Sequence, residues 1–439
     1  MEAKSYILIN GDGNLAYYSY YTKAYKGHIA YTPELGKYSI LENGYIVVEG
    51  TKVKGVYKSL PKEYEYIEVE NYGNRLIIPG FIDLHLHGSQ LANRGLGLDL
   101  ELMKWLNAHT FKEEARIKDL RYAETIYNET AKLLLKNGTT RAVIYGTLHR
   151  ESTELLMNIV NKYGLGAYVG KVSQDKNSPD YLTENAVDAI KEEEVFLRDT
   201  INRYKLVKPI ITPRFVPACS LELLKALGIM AQKYKVPVQS HLDEDLSEID
   251  FVKEEYPQFK NYASIYDYDG LLGQKPTIMA HCVYLSDDEI RLLAKNKVYV
   301  AHCPTSNFNL SGSTAPIKKL IGKGIPVGLG TDIAAGHNIS ILKVMLQAIQ
   351  ASKVVYSRTH DEKDKLTSPE AFYLATKGGG SFFGKVGSFE EGYDFDALVI
   401  DDSNLVYVKP LSIEERIDRF IYIGDDRNII KRFVAGRAV

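Results

Sequence analysis

The sequence contains few cysteines, with only Cys219, Cys282 and Cys303 among 439 residues. An odd number of widely spaced cysteines argues against a disulfide framework, so we interpret Cys282 and Cys303 as small packing residues. The sequence also lacks a long apolar segment near its start and any run of about 18 or more apolar residues. These absences argue against a signal peptide and a transmembrane helix, and we expect a cytoplasmic protein.

The chain also has little excess charge of either sign. It contains 54 Lys and Arg residues and 56 Asp and Glu residues, which gives a formal net charge of −2 at pH 7. We therefore expect neither a nucleic acid nor a membrane as a partner. The hydrophobic content of 45% is typical of soluble globular proteins, and the length exceeds that of one small domain. A large domain with a smaller one attached fits these numbers.

The pattern of apolar and polar residues changes twice along the chain. Residues 1–75 contain short apolar runs broken by turn residues, which indicate strands, and this pattern returns in residues 384–439. Residues 76–383 instead alternate apolar runs with longer amphipathic stretches. We predict that the two ends of the chain form one small composite β-sandwich domain. The central region is predicted to form a separate α/β domain.

The central region contains eight apolar, β-branched runs separated by segments of helical spacing. Near-continuous apolar strands that alternate with helices indicate a parallel sheet covered on both faces. Eight such units favour a (β/α)8 barrel of the TIM type. The runs are residues 76–80, 141–145, 166–170, 208–212, 236–240, 277–280, 298–301 and 325–329.

Six of the ten histidines lie at the ends of these predicted strands. In such barrels the catalytic residues lie at the carboxyl ends of the strands. Imidazoles with a carboxylate are ligands for a divalent metal, with zinc the first candidate and iron or another metal the alternative. Residues that could act in this way are His85, His87, His149, His241, His281 and His302, with Asp332 after the last strand. Glu244, three residues after His241, is expected to carry protons rather than to bind the metal.

Each of these residues also has a simpler interpretation when taken alone. A His-x-His pair is often structural, His281 could be a buried histidine bonded to the backbone, and Asp332 could cap a helix. The joint pattern on successive strands favours the metal site, while His149 and His302 stay undecided. The acidic run 192–194 is interpreted as a solvated helix face, and Trp105 as a core residue.

The same residues resemble the guanine deaminases of the amidohydrolase superfamily over nearly the whole predicted barrel. The segment 79–87 has the superfamily pattern, and the combination of Gln90, Arg214-Phe215 and Glu244 narrows the resemblance. Further matching segments are residues 85–90, 136–140, 212–215, 239–241, 254–257, 260–262, 279–281, 301–304 with 306–307, and 328–332.

The resemblance implies zinc-dependent hydrolysis of guanine to xanthine and ammonia in purine catabolism, by a homodimer. It implies zinc ligands at His85, His87, His241 and Asp332, with His281 either a fifth ligand or a contact of the hydrolytic water. Glu244, Asp332 and His281 are the implied catalytic residues, Glu244 being the proton shuttle. The implied guanine-binding residues are Gln90, Arg214, Phe215, His87 and His241.

Two alternatives and some departures accompany this resemblance. A sister aminohydrolase could act on 8-oxoguanine, an adenosine-type nucleoside or a triazine, and a non-catalytic barrel is disfavoured because no implied ligand is missing. Gly88, Asp243 and Cys282-Val283 depart from the family pattern. We expect Asp243 to add a carboxylate close to the substrate.

Overall fold

The computed structural model describes residues 5–9, 15–19, 22–273, 275–405 and 408–439. The chain forms two compact units, one made of the residues up to Phe81 together with Ser368–Val439, the other of Ile82–Thr367. The predicted domains 1–75, 76–383 and 384–439 stay a prediction. Residues 1–4, on which the expected absence of a signal peptide partly rests, lie outside the described residues.

The strands are numbered in chain order. They are β1 (Ser5–Ile9), β2 (Leu15–Ser19), β3 (Thr22–Glu34), β4 (Lys37–Glu49), β5 (Lys52–Tyr57), β6 (Glu68–Pro79), β7 (Phe81–His87), β8 (Thr139–Tyr145), β9 (Gly166–Gly170), β10 (Val172–Ser173), β11 (Val207–Pro209), β12 (Thr212–Pro213), β13 (Val238–Leu242), β14 (Thr277–His281), β15 (Tyr299–His302), β16 (Val327–Leu329), β17 (Ala397–Ile400), β18 (Ile429–Val434) and β19 (Arg437–Ala438).

The α-helices are numbered in the same way. They are α1 (Leu102–Trp105), α2 (Phe111–Arg116), α3 (Leu120–Lys136), α4 (Arg150–Lys162), α5 (Ala186–Thr200), α6 (Leu221–Tyr234), α7 (Leu246–Glu255), α8 (Tyr262–Tyr268), α9 (Asp287–Lys295), α10 (Pro304–Ser306), α11 (Ile317–Gly322), α12 (Ile341–Thr359), α13 (Ser368–Tyr373) and α14 (Ile413–Ile423). Within the described residues, no helix combines the length and the apolar character that a membrane span requires.

Short helical turns of other types complete the secondary structure. The 3-10 turns are Lys62–Tyr64, Leu91–Asn93, Asp180–Leu182, Val216–Ala218, Glu362–Asp364, Ser381–Phe383 and Asp426–Asn428. The π-helical turns are Leu106–Thr110, Asn307–Ser311 and Leu374–Gly378.

The central unit is a barrel of eight parallel strands. Strands β7, β8, β9 and β11 are neighbours in one sheet, and β13, β14, β15 and β16 are neighbours in another. The two sheets join at one side through a parallel bridge between Ile211 and Val238. They meet at the other side where the Asp332 amide donates to the His85 carbonyl at 2.8 Å. This closure is the TIM-type barrel that the alternating pattern predicted.

The first barrel strand differs from the predicted run 76–80. Residues up to Pro79 belong to β6, which pairs with β17 in the terminal sheet, and the barrel strand β7 begins at Phe81. The break falls at Gly80, whose amide donates to the Asp396 carbonyl at 3.0 Å. Every residue of β7 is buried, and Phe81 and Ile82 at its start continue the apolar run of residues 76–79, so hydrophobicity alone does not mark the change of sheet.

Strands from both ends of the chain pair in one sheet of the terminal unit, as predicted. The strand order is β19-β18-β17-β6-β3-β4-β5, in which β3 and β6 are parallel. One face holds an aromatic core in which the rings of Tyr25 and Phe395 stack with centroids 4.7 Å apart and Phe433 packs on both. The two chain ends are therefore needed together for this unit to bury its apolar surface.

Candidate active site

Four histidines and one aspartate meet inside the barrel at the carboxyl ends of its strands. His85 and His87 end β7, His241 lies in β13, His281 ends β14, and Asp332 follows β16. Two residues apart on a strand, His85 and His87 point to the same side. All five side chains are buried. The strand ends therefore bring together the residues that the sequence proposed as metal ligands.

The ligand atoms of this cluster lie at close range. The Asp332 Oδ1 atom is 3.2 Å from His85 Nε2 and 3.6 Å from His87 Nε2. The Nε2 atoms of His87 and His241 are 3.3 Å apart. The trio of His85, His87 and His241 and the trio of His85, His281 and Asp332 each hold ligand atoms within 4.8 Å of one another. This spacing suits a single cation shared by the cluster.

The chemistry of the donors also fits a metal ion. The Nε2 atoms of His85 and His281 are buried and make no hydrogen bond of acceptable geometry with the described residues. Unpaired buried polar atoms are costly, and a cation would provide the His85 Nε2 atom with a partner. Burial, and next the proximity of the His85 imidazole, lowers the pKa of His87, His241 and His281 well below the usual range. These histidines are therefore neutral, which is the form that binds metals.

Hydrogen bonds to the rings set which nitrogen faces the centre. The His241 Nδ1 atom donates to the Arg214 carbonyl at 2.6 Å, so its Nε2 lone pair points to the cluster. The Asn307 side-chain amide donates to His281 Nδ1 at 2.9 Å, which places the ring hydrogen on Nε2. That Nε2 atom is 3.3 Å from Oε2 of Glu244. His281 is thus oriented as a donor toward the Glu244 carboxylate.

Asp83 ties the two strand ends that carry His85 and Asp332. Its carboxylate accepts from the His85 amide at 3.2 Å and from the Thr331 amide and hydroxyl at 3.0 and 2.6 Å. Burial raises the pKa of Asp83 to about 7, while the Thr331 hydrogen bonds oppose that rise. Asp83 is thus a structural link within the site that was not among the predicted site residues. The sequence signal that could have revealed it is a carboxylate among the apolar residues 81–84, just before the two histidines of the same strand.

Two residues of the cluster have left-handed backbone conformations. The φ angles are +73° at His281 and +49° at Asp332. Such conformations cost about 1 kcal/mol or more for residues with a Cβ and cluster at functional sites, where the surroundings hold them. The barrel therefore places both side chains at the end of a strand and turns the chain sharply after each.

A cavity opens beside the cluster. It contains every residue predicted to bind substrate or to move protons, so the prediction of one shared pocket agrees with the geometry. Trp105, predicted to be a core residue, is buried and also lines this cavity. The lining is His87, Gln90, Leu102, Trp105, Leu106, Arg214, Phe215, His241, Glu244, His281, Leu310, Asp332 and Ala335.

A buried carboxylate that the sequence analysis missed connects two of these lining residues. Glu114, in α2, accepts from Gln90 Nε2 at 2.8 Å and from Arg214 Nη1 at 2.6 Å. The Gln90 side-chain oxygen in turn accepts from the Ala334 amide at 3.1 Å. No sequence motif pointed to Glu114, because the contacts join segments that are far apart in the chain.

Other candidate residues lie away from the cluster. His149 and His302 belong to neither group of potential metal ligands among the described residues. Asp243 does not line the cavity beside the cluster, contrary to our expectation, but borders a neighbouring one with Glu289 and Tyr262. Its left-handed backbone, with φ of +49°, directs the chain away after His241.

The comparisons with known proteins agree with this geometry. The model of the amidohydrolase family matches residues 76–439. A guanine deaminase of Dictyostelium discoideum is 38% identical, covering 95% of this chain and 98% of that protein, and one of Mus musculus is 39% identical, covering 83% of each. The crystal structure of a guanine deaminase from C. acetobutylicum with bound guanine has a TM-score of 0.94 and 49% identity, covering 95% of this chain and 100% of that one. The chain belongs to the amidohydrolase family.

Proposed function

We propose that this protein is a guanine deaminase, which hydrolyses guanine to xanthine and ammonia. One observation carries the proposal: a single cavity holds Gln90, Arg214 and Phe215 beside the histidine cluster and Glu244. Several relatives that match this chain over most of their length are guanine deaminases, one of them with guanine in its active site. The shared pocket allows substrate recognition and hydrolysis to occur at one place.

We propose zinc as the metal, held by His85, His87, His241 and Asp332, with His281 beside it. The neutral imidazoles and the carboxylate suit a cation of borderline softness, and iron or another divalent metal is the alternative. When bound, the metal would lower the pKa of a water ligand toward about 7 and so supply hydroxide at neutral pH.

The residues that line the cavity have separate tasks in binding the purine. Phe215 can stack on the face of the planar ring. Arg214 presents a fork of donors that suits the O6 carbonyl, and Gln90 offers a donor and an acceptor to a purine edge. His87 and His241 close the side of the pocket next to the reacting carbon. These contacts would place C2 of guanine, which bears the amine, nearest the cluster.

Glu244 is the group proposed to move protons. Burial, and next the charge of Asp332, raises the pKa of Glu244 well above its usual range, which favours a carboxyl that can donate at neutral pH. Glu244 would protonate N3 of guanine as water adds to C2, and Asp332 would accept a proton from that water. The Glu244 carboxylate would then take the proton of the new C2 hydroxyl and deliver it to the amine, so that C2 becomes a carbonyl, the C2–N bond breaks and ammonia leaves. The proton held by Asp332 would return to Glu244 and restore the starting state.

The direct test is an assay of the purified protein with guanine, following xanthine by chromatography and ammonia by a coupled reaction, together with metal analysis. We expect turnover of guanine and about one zinc per chain. 8-Oxoguanine, adenosine and an aminotriazine are assayed in parallel under the same conditions. If guanine is inert while one of these rings turns over, the protein is a sister aminohydrolase and the proposal is wrong.

The finer expectations of the sequence analysis complete the proposal. We propose a homodimer, because the guanine deaminases it resembles commonly form one, and a cytoplasmic role in purine catabolism. We also propose that the terminal unit is a small β-sandwich, for which the seven-stranded sheet with its aromatic core would provide one layer. Light scattering of the purified protein tests the homodimer.

A further inference from the structure

Glu114 lies behind the substrate cavity and joins two of its lining side chains. Its Oε1 atom accepts from Gln90 Nε2 at 2.8 Å, and its Oε2 atom accepts from Arg214 Nη1 at 2.6 Å. The carboxylate is 5% exposed, and Arg214 is buried to the same degree. Since each oxygen serves one partner, the position requires two acceptors, which only a carboxylate supplies.

The contacts of Gln90 fix the orientation of its amide. The Nε2 atom is directed at Glu114, while the side-chain oxygen accepts from the Ala334 amide. A rotation of the amide by a half turn would place its oxygen against the Glu114 carboxylate and its NH2 group against the Ala334 amide. Glu114 therefore determines which end of Gln90 donates and which end accepts toward the cavity.

The same carboxylate holds the guanidinium of Arg214. Glu114 and the side-chain oxygen of Gln174, at 3.3 Å, both engage Nη1. The ring of Phe111, which is in α2 with Glu114, lies 5.3 Å from the guanidinium carbon. These contacts fix the Nη1 atom of Arg214, so that the remaining N–H groups of the guanidinium can donate to a carbonyl oxygen in the cavity. A buried guanidinium also needs an opposite charge, which Glu114 supplies.

We propose that Glu114 is a positioning residue that sets the preference for a purine with a carbonyl oxygen at C6. The inference rests on the proposed function, because it concerns how the pocket of a guanine deaminase recognises its ring. Glu114 acts through Gln90 and Arg214 and does not line the cavity itself. It should therefore affect the binding of guanine more than the proton transfers by Glu244.

The test compares guanine with 2-aminopurine, which has the same amine at C2 but no oxygen at C6. Glu114→Gln keeps the size of the side chain but replaces one acceptor by a donor, so one of its two partners faces another donor. We expect the KM for guanine to rise about tenfold or more, as for loss of an aligned charge-assisted hydrogen bond. The KM for 2-aminopurine should change much less, and kcat and zinc content should be nearly unchanged.

Glu113→Gln is the matched control. Glu113 is the preceding residue of the same helix, and its carboxylate contacts Arg116 and Tyr122 rather than the cavity. The control should leave both KM values as in the wild type. If Glu114→Gln does not fold, Glu114→Asp keeps the charge but shortens the reach, and the same selective rise in the KM for guanine is expected.

The outcomes separate this inference from the proposed function. A wild-type protein that is inert toward guanine overturns the proposed function and the inference together. A wild type that deaminates guanine, with a folded Glu114 variant that keeps the same ratio of KM values for the two purines, overturns the inference alone. An equal loss of kcat for both purines would also overturn it, because that pattern indicates damage to the reacting centre.

Discussion

Replacing Glu193 by glutamine should stabilise the protein progressively, relative to wild type, as the pH rises from about 5 to about 8. Glu193 lies in α5 and is completely buried. The Ser173 hydroxyl donates to its Oε2 atom at 3.3 Å, while Oε1 has no hydrogen-bond partner among the described residues. Burial raises the pKa of Glu193 to about 8, against the opposing influence of Lys171 and Ser173.

The direction of this pH dependence follows from the number of protons that Glu193 binds in the folded and in the unfolded protein. Between the ordinary pKa of 4.5 and the raised value of about 8, the folded protein keeps a proton on Glu193 that the unfolded chain has released. Stability therefore falls as the pH rises through this range and levels off above it. Since one pKa unit corresponds to about 1.4 kcal/mol, the whole range corresponds to at most about 5 kcal/mol. Relaxation of the neighbours and entry of water reduce this value.

The assay is urea unfolding of wild type and Glu193→Gln at several pH values, with the metal content held equal. The neighbouring residues offer matched controls, because Glu192 pairs with Arg150 and Glu194 with Lys233 near the surface. Glu192→Gln and Glu194→Gln should show a nearly constant stability difference from wild type over this pH range. If the difference for Glu193→Gln is equally constant, the carboxyl is ionised in the folded protein and the reasoning is wrong.

The remaining predictions concern the site. Glu244→Gln should keep its zinc and lose turnover by about 10²- to 10⁴-fold, because only proton transfer is removed, and near-normal turnover would exclude Glu244 from the mechanism. Arg214→Ala should reduce guanine turnover far more than zinc content, measured by metal analysis, and loss of zinc would mean that Arg214 supports the cluster instead. A chelator should abolish activity and lower the unfolding midpoint, both restored by zinc, because the metal binds only the folded cluster; an unchanged activity after complete metal removal would contradict this.

The sequence predicted the barrel and its cluster because both depend on local patterns. Buried parallel strands have continuous apolar runs, and the chemistry lies where each run ends, so the position of His241 or His281 could be read directly from its own segment. The family resemblance added Gln90 and Arg214, which the structure places in the same cavity. The start of the first barrel strand was misplaced, because the apolar end of β6, residues 76–79, is followed after Gly80 by the apolar residues Phe81 and Ile82 that begin β7.

The residues that sequence reasoning missed depend on contacts between distant segments. Glu114 meets Gln90 across 24 positions and Arg214 across 100, and neither distance follows a period of a helix or strand. Glu193 is part of an acidic run that we interpreted as a solvated helix face, and that interpretation was wrong for this residue. In a helix, successive side chains differ by about 100° in direction, so three adjacent glutamates cannot all face the solvent when the helix packs against a barrel.

The site separates its two tasks between different parts of the barrel. The groups proposed to bind metal and move protons lie at or just beyond the strand ends, where backbone pairing and Asp83 hold them. Gln90 and Arg214, two of the groups proposed to recognise guanine, are held by Glu114 from the short helix α2 between β7 and β8. A change in α2 can therefore alter which ring is bound while the hydrolytic cluster stays intact. For this reason, Glu114→Gln is expected to change mainly the KM and the substrate selectivity, whereas Glu244→Gln is expected to lower mainly kcat.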